Sequence, residues 1–195
     1  MGVLALQGDV AEHLAALNSA MGHSGIGGQA VQVRRPAELS GISALLIPGG
    51  ESTTIAKQLD RFGLRQPIID FGMSGKPIMG TCAGSILLSS EILDQKGQHV
   101  KPLGLVDMSV RRNAFGRQAE SFERELKIEG LDSEFNGIFI RAPRIVGIGK
   151  NVVSLASLDG EHVMVRENNV LALTFHPELA NDDRVHSMFL KMVRT

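Results

Sequence analysis

The chain has 195 residues, 43% of them hydrophobic and 21% charged, with a net charge of −1. That balance fits one globular domain spanning 1–195 with a sizeable core, and it gives no bias toward nucleic acid or an anionic membrane. One cysteine, Cys82, excludes an internal disulfide and a cysteine-rich zinc site, and no apolar run approaches the roughly 18 residues of a membrane span. The chain opens on an apolar run with no basic flank or cleavable segment before it, so a cytoplasmic location is expected.

The first half alternates short apolar runs with helical patterns. "VLAL" (3–6) reads as a strand, and "DVAEHLAALNSAM" (9–21) as a helix with Val10, Leu14 and Leu17 at helical spacing. "GHSGIGG" (22–28) reads as a mobile surface loop. Its Gly25-x-Gly27-x-x-Ala30 superficially resembles a dinucleotide fingerprint, but it precedes a strand instead of opening a helix. Strands are expected at "AVQVR" (30–34), "ISALLIP" (42–48) and "KPIMG". Helices are expected at "STTIAKQLDRFG", started by Ser52 or Thr53, around 64–73, and from Ser85 to about Leu93. This alternation predicts an α/β fold, an open and mostly parallel sheet flanked by helices.

The second half adds an antiparallel portion. "LGLVDMSVRR", "SFERELKIEG", "GIFIRAP", "NVVSLASLDG", "EHVMVREN" and "VLALTFHPE" read as strands in quick succession, with a hairpin at Asp159-Gly160. "NDDRVHSMFLKMV" closes the chain as a helix capped by Asn181 or Asp182.

Three stretches can carry chemistry. Gly80-Thr81-Cys82-Ala83-Gly84 fits a nucleophile elbow between strand and helix. There the helix N-terminus favours thiolate, and the Ala83 amide would face an oxyanion. A buried structural cysteine would have the same local sequence. "TFHPE" ends an apolar strand, so His176 falls at a carboxyl end, where open α/β sheets place their sites. Glu178, two residues on, would share its side in extended chain and orient the imidazole as it takes a proton from Cys82. His13, His23, His99, His162 and His186 read as surface or satisfied core residues. "LLIPGGESTT" (45–54) places Gly49-Gly50 after a buried strand, either as a tight turn or as a second oxyanion donor at Gly50. It is not a Walker loop, for no Gly-Lys-Ser/Thr follows.

These pieces together resemble triad-type (class I) glutamine amidotransferases, which have a flavodoxin-like fold. "GVLALQGDVAEH", "PGGESTT", "GTCAG", "VRRNAFGRQAESFE", "FIRAP" and "FHPEL" are more closely similar to the glutaminase subunits of pyridoxal 5'-phosphate synthase. The resemblance runs from residue 2 to about 194. It implies Cys82 as nucleophile, His176 as base and then acid, and Glu178 as its orienter. Gly49, Gly50, Glu51, Ser52, Arg112, Ile140 and Arg141 would bind glutamine, with Gln7 a further pocket candidate. Without the resemblance, Arg111, Arg112 and Arg117 read as a solvated basic loop. The only departure is "GHSGIGG", which is longer than the usual connection.

The implied reaction is hydrolysis of the L-glutamine amide with no metal or organic cofactor. Ammonia would pass to a separate barrel-shaped synthase subunit, which builds pyridoxal 5'-phosphate from a pentose phosphate and a triose phosphate. The vitamin would then be a product, not a cofactor. Two alternatives remain. The glutaminase of another amidotransferase, such as that of histidine biosynthesis, should lack "RNAFGRQ" and "FIRAP". A redox-sensing α/β protein would not need Glu178.

Overall fold

The computed structural model describes residues 1–93, 95, 99–112 and 121–193. Five strands form the parallel core, in the order β2 (Val31–Val33), β1 (Gly2–Leu4), β3 (Leu45–Ile47), β4 (Ile78–Thr81) and β12 (Val170–Leu173). Side chains alternate across this sheet, as period-2 geometry requires. Leu45 and Ile47 enter one core cluster with Val170 and Ala172, whereas Leu46, Leu171 and Leu173 enter the other. Burial on both faces explains why these strands read as unbroken apolar runs. Helices α2 (Ser52–Arg61), α3 (Arg65–Met73) and α4 (Ala83–Leu88) cover the first face. Helices α1 (Val10–Ser24) and α5 (Arg184–Leu190) lie side by side on the second.

The antiparallel portion continues the same sheet beyond β12. It runs through β11 (Glu161–Glu167), β9 (Arg144–Ile148), β6 (Val106–Arg111) and β5 (Ser89–Leu93), with β10 (Val153–Leu158) paired to β11. The β5–β6 pair is parallel. The expected hairpin joins β10 to β11, with Asp159 at φ 51 and Gly160 at φ 83, the two positive angles of a tight primed turn. A separate two-stranded ribbon, β7 (Ser121–Leu126) with β8 (Phe135–Ile140), packs over the end of β12. There Phe139 stacks on Phe122 at 4.7 Å, and both Phe135 and Phe139 touch Phe175.

Several local expectations are corrected. The helix expected over Ser85–Leu93 begins at Ala83 and stops at Leu88. Ser89 turns extended with its hydroxyl donating to the Ile86 carbonyl, and 89–93 becomes β5 against β6. Strand β9 follows "FIRAP" in a stretch whose short apolar run gave no clear alternation. Glu51, not Ser52 or Thr53, caps α2, accepting from the Thr53 and Thr54 amides. Asp183 holds the N-cap position of α5 without a side-chain capping bond, and the expected Asp182 supplies that bond from one residue earlier, accepting from the Arg184 amide at 3.0 Å. Residues 22–24 of "GHSGIGG" form the last turn of α1. Gly25 ends it at φ 64, with the Ile26 amide donating to Met21 and the Gly25 amide to Gly22. This is the Schellman pattern that glycine favours.

Candidate active site

Four parallel strands deliver the site from their carboxyl ends. Gln7 and Asp9 follow β1, residues 48–52 follow β3, Cys82 follows β4, and His176 and Glu178 follow β12. Cys82 sits at φ 47 and ψ −106, a strained conformation for a non-glycine residue, directly before α4. The Cys82 amide is tied to the Leu173 carbonyl at 2.8 Å, so the elbow is registered on β12. Its flanking glycines are sterically necessary. A Cβ at Gly84 would lie 2.1 Å from the Ile47 carbonyl oxygen, and one at Gly80 would lie 2.7 Å from the Gly84 carbonyl carbon. The elbow is thereby pressed into the sheet and the thiol brought to the floor of a cavity of about 500 Å³.

His176 is anchored by its own amide, which donates to Ile138 of β8 at 2.8 Å. Its Nδ1 lies 2.7 Å from Glu178 Oε1. The pairing arises differently from the sequence expectation. Residues 177–179 form a 3-10 turn with His176 as its cap, and that turn, not extended chain, swings the carboxylate behind the ring. Nδ1 also lies 3.4 Å from Asp9 Oδ2. Burial disfavours the imidazolium, yet hydrogen bonds with Asp9, Cys82 and Glu178 outweigh it and push the His176 pKa up to about 12. Burial raises the Glu178 carboxyl, against the lowering pull of His176. The hydrogen bond with His176 lowers Asp9.

Gly50, Glu51, Ser52, Ala83, Arg112, Ile140 and Arg141 line the same cavity as Cys82 and His176. Gly49 lies just behind, where a Cβ would stand 2.6 Å from His176 Cε1. Gly50 has φ 142, and Gln7 Oε1 accepts from the next amide, that of Glu51, at 2.7 Å. Arg112 is held over the start of α2, its Nη2 donating to Thr53 Oγ1 at 3.0 Å and lying 3.5 Å from Glu51 Oε1. Arg141 takes φ 44 at the end of β8. Residues 113–118 of "RNAFGRQ", Arg117 among them, lie outside the described residues.

Three lining residues escaped the sequence reading: Asp9, Ile86 and Leu179. Asp9 was legible in principle, for it stands between a strand's carboxyl end and the first turn of a helix. Asp9, His176 and Glu178 offer ligand atoms within 4.8 Å of one another. A cation there would compete for the His176 Nδ1 that already pairs with Glu178.

A strained cysteine beside a histidine–glutamate pair, at the carboxyl edge of a parallel sheet, defines the class of triad-type glutamine amidotransferases. The chain belongs to the SNO glutamine amidotransferase family, whose pattern matches residues 3–195. It is 53% identical to the pyridoxal 5'-phosphate synthase subunit PdxT of Dehalococcoides mccartyi, over 100% of this chain and 97% of the relative. It is 50% identical to PdxT of Mycobacteroides abscessus, with the same coverages. A crystal structure of a glutamine amidotransferase superposes with a TM-score of 0.88 at 44% identity, covering 98% of this chain and 97% of the other. PurLQS from Thermotoga maritima, at 18% identity and a TM-score of 0.67 over 99% and 97% of the two chains, shares the fold. Among the described residues no helix is long and apolar enough to cross a membrane.

Proposed function

We propose that this chain is the glutaminase subunit of a pyridoxal 5'-phosphate synthase, hydrolysing L-glutamine and supplying ammonia to the synthase subunit as a single cytoplasmic domain. The observation that carries the chemistry is the Cys82 elbow facing His176, with Glu178 2.7 Å behind it. The full-length likeness to PdxT subunits supports the choice of partner.

The mechanism follows from the geometry. The Cys82 thiolate attacks the side-chain carbonyl carbon of glutamine, and the oxyanion is stabilised by the amides of Ala83 and Gly50. The C–N bond breaks as imidazolium His176 gives its proton to the leaving nitrogen, releasing ammonia and leaving a thioester. His176, now neutral, takes a proton from water, which attacks the thioester carbon. The C–S bond breaks, returning the thiolate and the imidazolium and freeing glutamate. Glu178 holds the ring and balances its charge throughout. Arg112 and Arg141 are placed to meet the substrate's α-carboxylate, and the buried Ser52 and the Ile140 backbone to meet its polar head.

Ammonia release from glutamine, measured with and without the synthase subunit, tests this reading. Glutamine-dependent ammonia production in the complex is the expected result. A complex that forms but releases none would overturn it.

A further inference from the structure

Behind the proposed catalytic pair lies a second cluster that the chemistry above does not use. His13 of α1 and His186 of α5 are both fully buried. His13 Nδ1 lies 3.1 Å from His186 Nε2, and His13 Nε2 lies 3.0 Å from Thr81 Oγ1. The same His13 Nε2 lies 3.2 Å from Glu178 Oε2, the carboxylate oxygen that His176 does not occupy. That oxygen is buried and makes no hydrogen bond, so the approach of His13 is a close electrostatic contact, and His186 Nδ1 is likewise buried without a partner.

We infer that His13 and His186 are positioning residues, a buried relay that holds Glu178 from behind so that its other oxygen faces His176. The inference rests on the reading of Glu178 as the orienter of His176. Two arguments fix the direction of the relay. A neutral imidazole has one donor and one acceptor. If His13 carried its proton on Nδ1, the lone pair of Nε2 would face the lone pairs of Glu178 Oε2. The Nδ1–H of His186 would then be a buried donor without an acceptor, which is costly. With the proton on His13 Nε2, the N–H donates to the Thr81 hydroxyl and turns a positive hydrogen, not a lone pair, toward Glu178 Oε2 3.2 Å away. His186 Nε2–H donates to His13, and only a lone pair is left unpartnered at the end of the chain. The second arrangement wins on both counts.

Neutrality of the two rings supports it. Burial pulls His13 well below its ordinary value, with His186 and His176 adding to the effect. Burial also pulls His186 down to about 4, against the raising effect of Asp183. No positive charge therefore sits behind Glu178 to compete with His176 for it. Thr81 directly precedes Cys82, so the relay also ties the acid to the nucleophile's own strand.

The test uses the full chain, assayed in the complex for glutamine turnover and alone for alkylation of Cys82 by iodoacetamide across roughly pH 4 to 9. The titratable groups facing the pair are Asp9, His13, Cys82, Glu178 and His186, with Asp183 beyond His186. His13→Leu removes the N–H beside Glu178, and His13→Gln restores an N–H near Nε2. The expected outcome for His13→Leu is a kcat lowered roughly 3- to 10-fold, the worth of a close polar contact to a charged group short of a full hydrogen bond, with KM within about twofold. Its alkylation at neutral pH should fall relative to that at pH 9, because a poorly held Glu178 stabilises the imidazolium, and with it the adjacent thiolate, less. His13→Gln should recover most of both, and His186→Leu should show a weaker version. Equal losses in His13→Leu and His13→Gln with an unchanged ratio of neutral to alkaline alkylation would overturn the relay and leave only a packing role. An unaffected His13→Leu would overturn it too. A wild-type chain that alkylates only along a single limb near the ordinary thiol value of about 8.5 would instead overturn the Cys82–His176 pair on which the relay rests.

Discussion

The two parts of the sheet contribute to the site in different ways. The parallel part supplies the proposed reacting groups: Cys82 and His176 are nearly buried, and each is fixed by backbone bonds as well as by side chains. The antiparallel part and its ribbon supply Arg112, Ile140 and Arg141, which are half-buried or exposed, with one guanidinium held by α2. In the proposed function, chemistry is therefore built into the buried core, whereas recognition of the substrate's head is delegated to the rim. Damage to the core should appear in kcat, and damage to the rim in KM.

The largest effects belong to the core. Cys82→Ala should reduce ammonia release to background while the fold, read by circular dichroism, persists. His176→Asn should cost at least the roughly 10²–10⁴-fold worth of general acid–base catalysis, and Glu178→Gln less, because Glu178 transfers no proton. Steady-state rates in which Glu178→Gln falls below His176→Asn would contradict these roles.

Next comes the turn at the border between core and rim. Gly50 has φ 142, and a Cβ there would meet Gln7 Oε1 at 2.6 Å. Glycine peptides reorient at little steric cost, so this peptide can switch its N–H into the oxyanion hole when the synthase subunit binds. Titrating that subunit into the glutaminase assay should raise the rate toward the roughly 10²–10³-fold worth of one oxyanion donor. Gly50→Val should blunt that rise even where the complex still forms. An isolated chain as fast as the complex would exclude the switch.

A rim substitution should be milder and of a different kind. Arg112→Ala should raise the KM for glutamine roughly tenfold with kcat little changed, the mark of binding shared by ground and transition states. A fall in kcat at constant KM would move Arg112 into the core's account.

The smallest expected effect separates the histidines by sign. His176 is held at about 12 in the folded chain, so its stabilisation is complete below its ordinary value near 6.5 and is lost as pH rises through 12. His186 is held near 4, so stability is complete above 6.5 and is lost as pH falls through 4, by up to roughly 3 kcal/mol. Melting temperatures between neutral pH and pH 4 should fall for the wild type and fall less for His186→Leu.

Much of this was legible in the sequence because tight geometry leaves few residue choices. Gly80 and Gly84 are forced by approaches under 3 Å, and the apolar strands by burial on both faces, so elbow and parallel sheet could both be read. The end of α4 was not legible, because "ILLSSEIL" suits a helix face and a strand about equally, and pairing with β6 decided it. Asp9 and His13 were passed over for a related reason. His13 occupies the buried face of α1 with Leu17 and Ala20, and its contact with Glu178 spans 165 residues of chain, which no local pattern reports.

The central claim is that Cys82 forms the covalent intermediate. Mass spectrometry of the chain treated with a diazo-ketone analogue of glutamine tests it most directly, in the wild type and in Cys82→Ala, with the synthase subunit present. The account predicts a single adduct, mapped to Cys82, in the wild type and none in the variant. An adduct on another residue, or full ammonia release by Cys82→Ala, would contradict it.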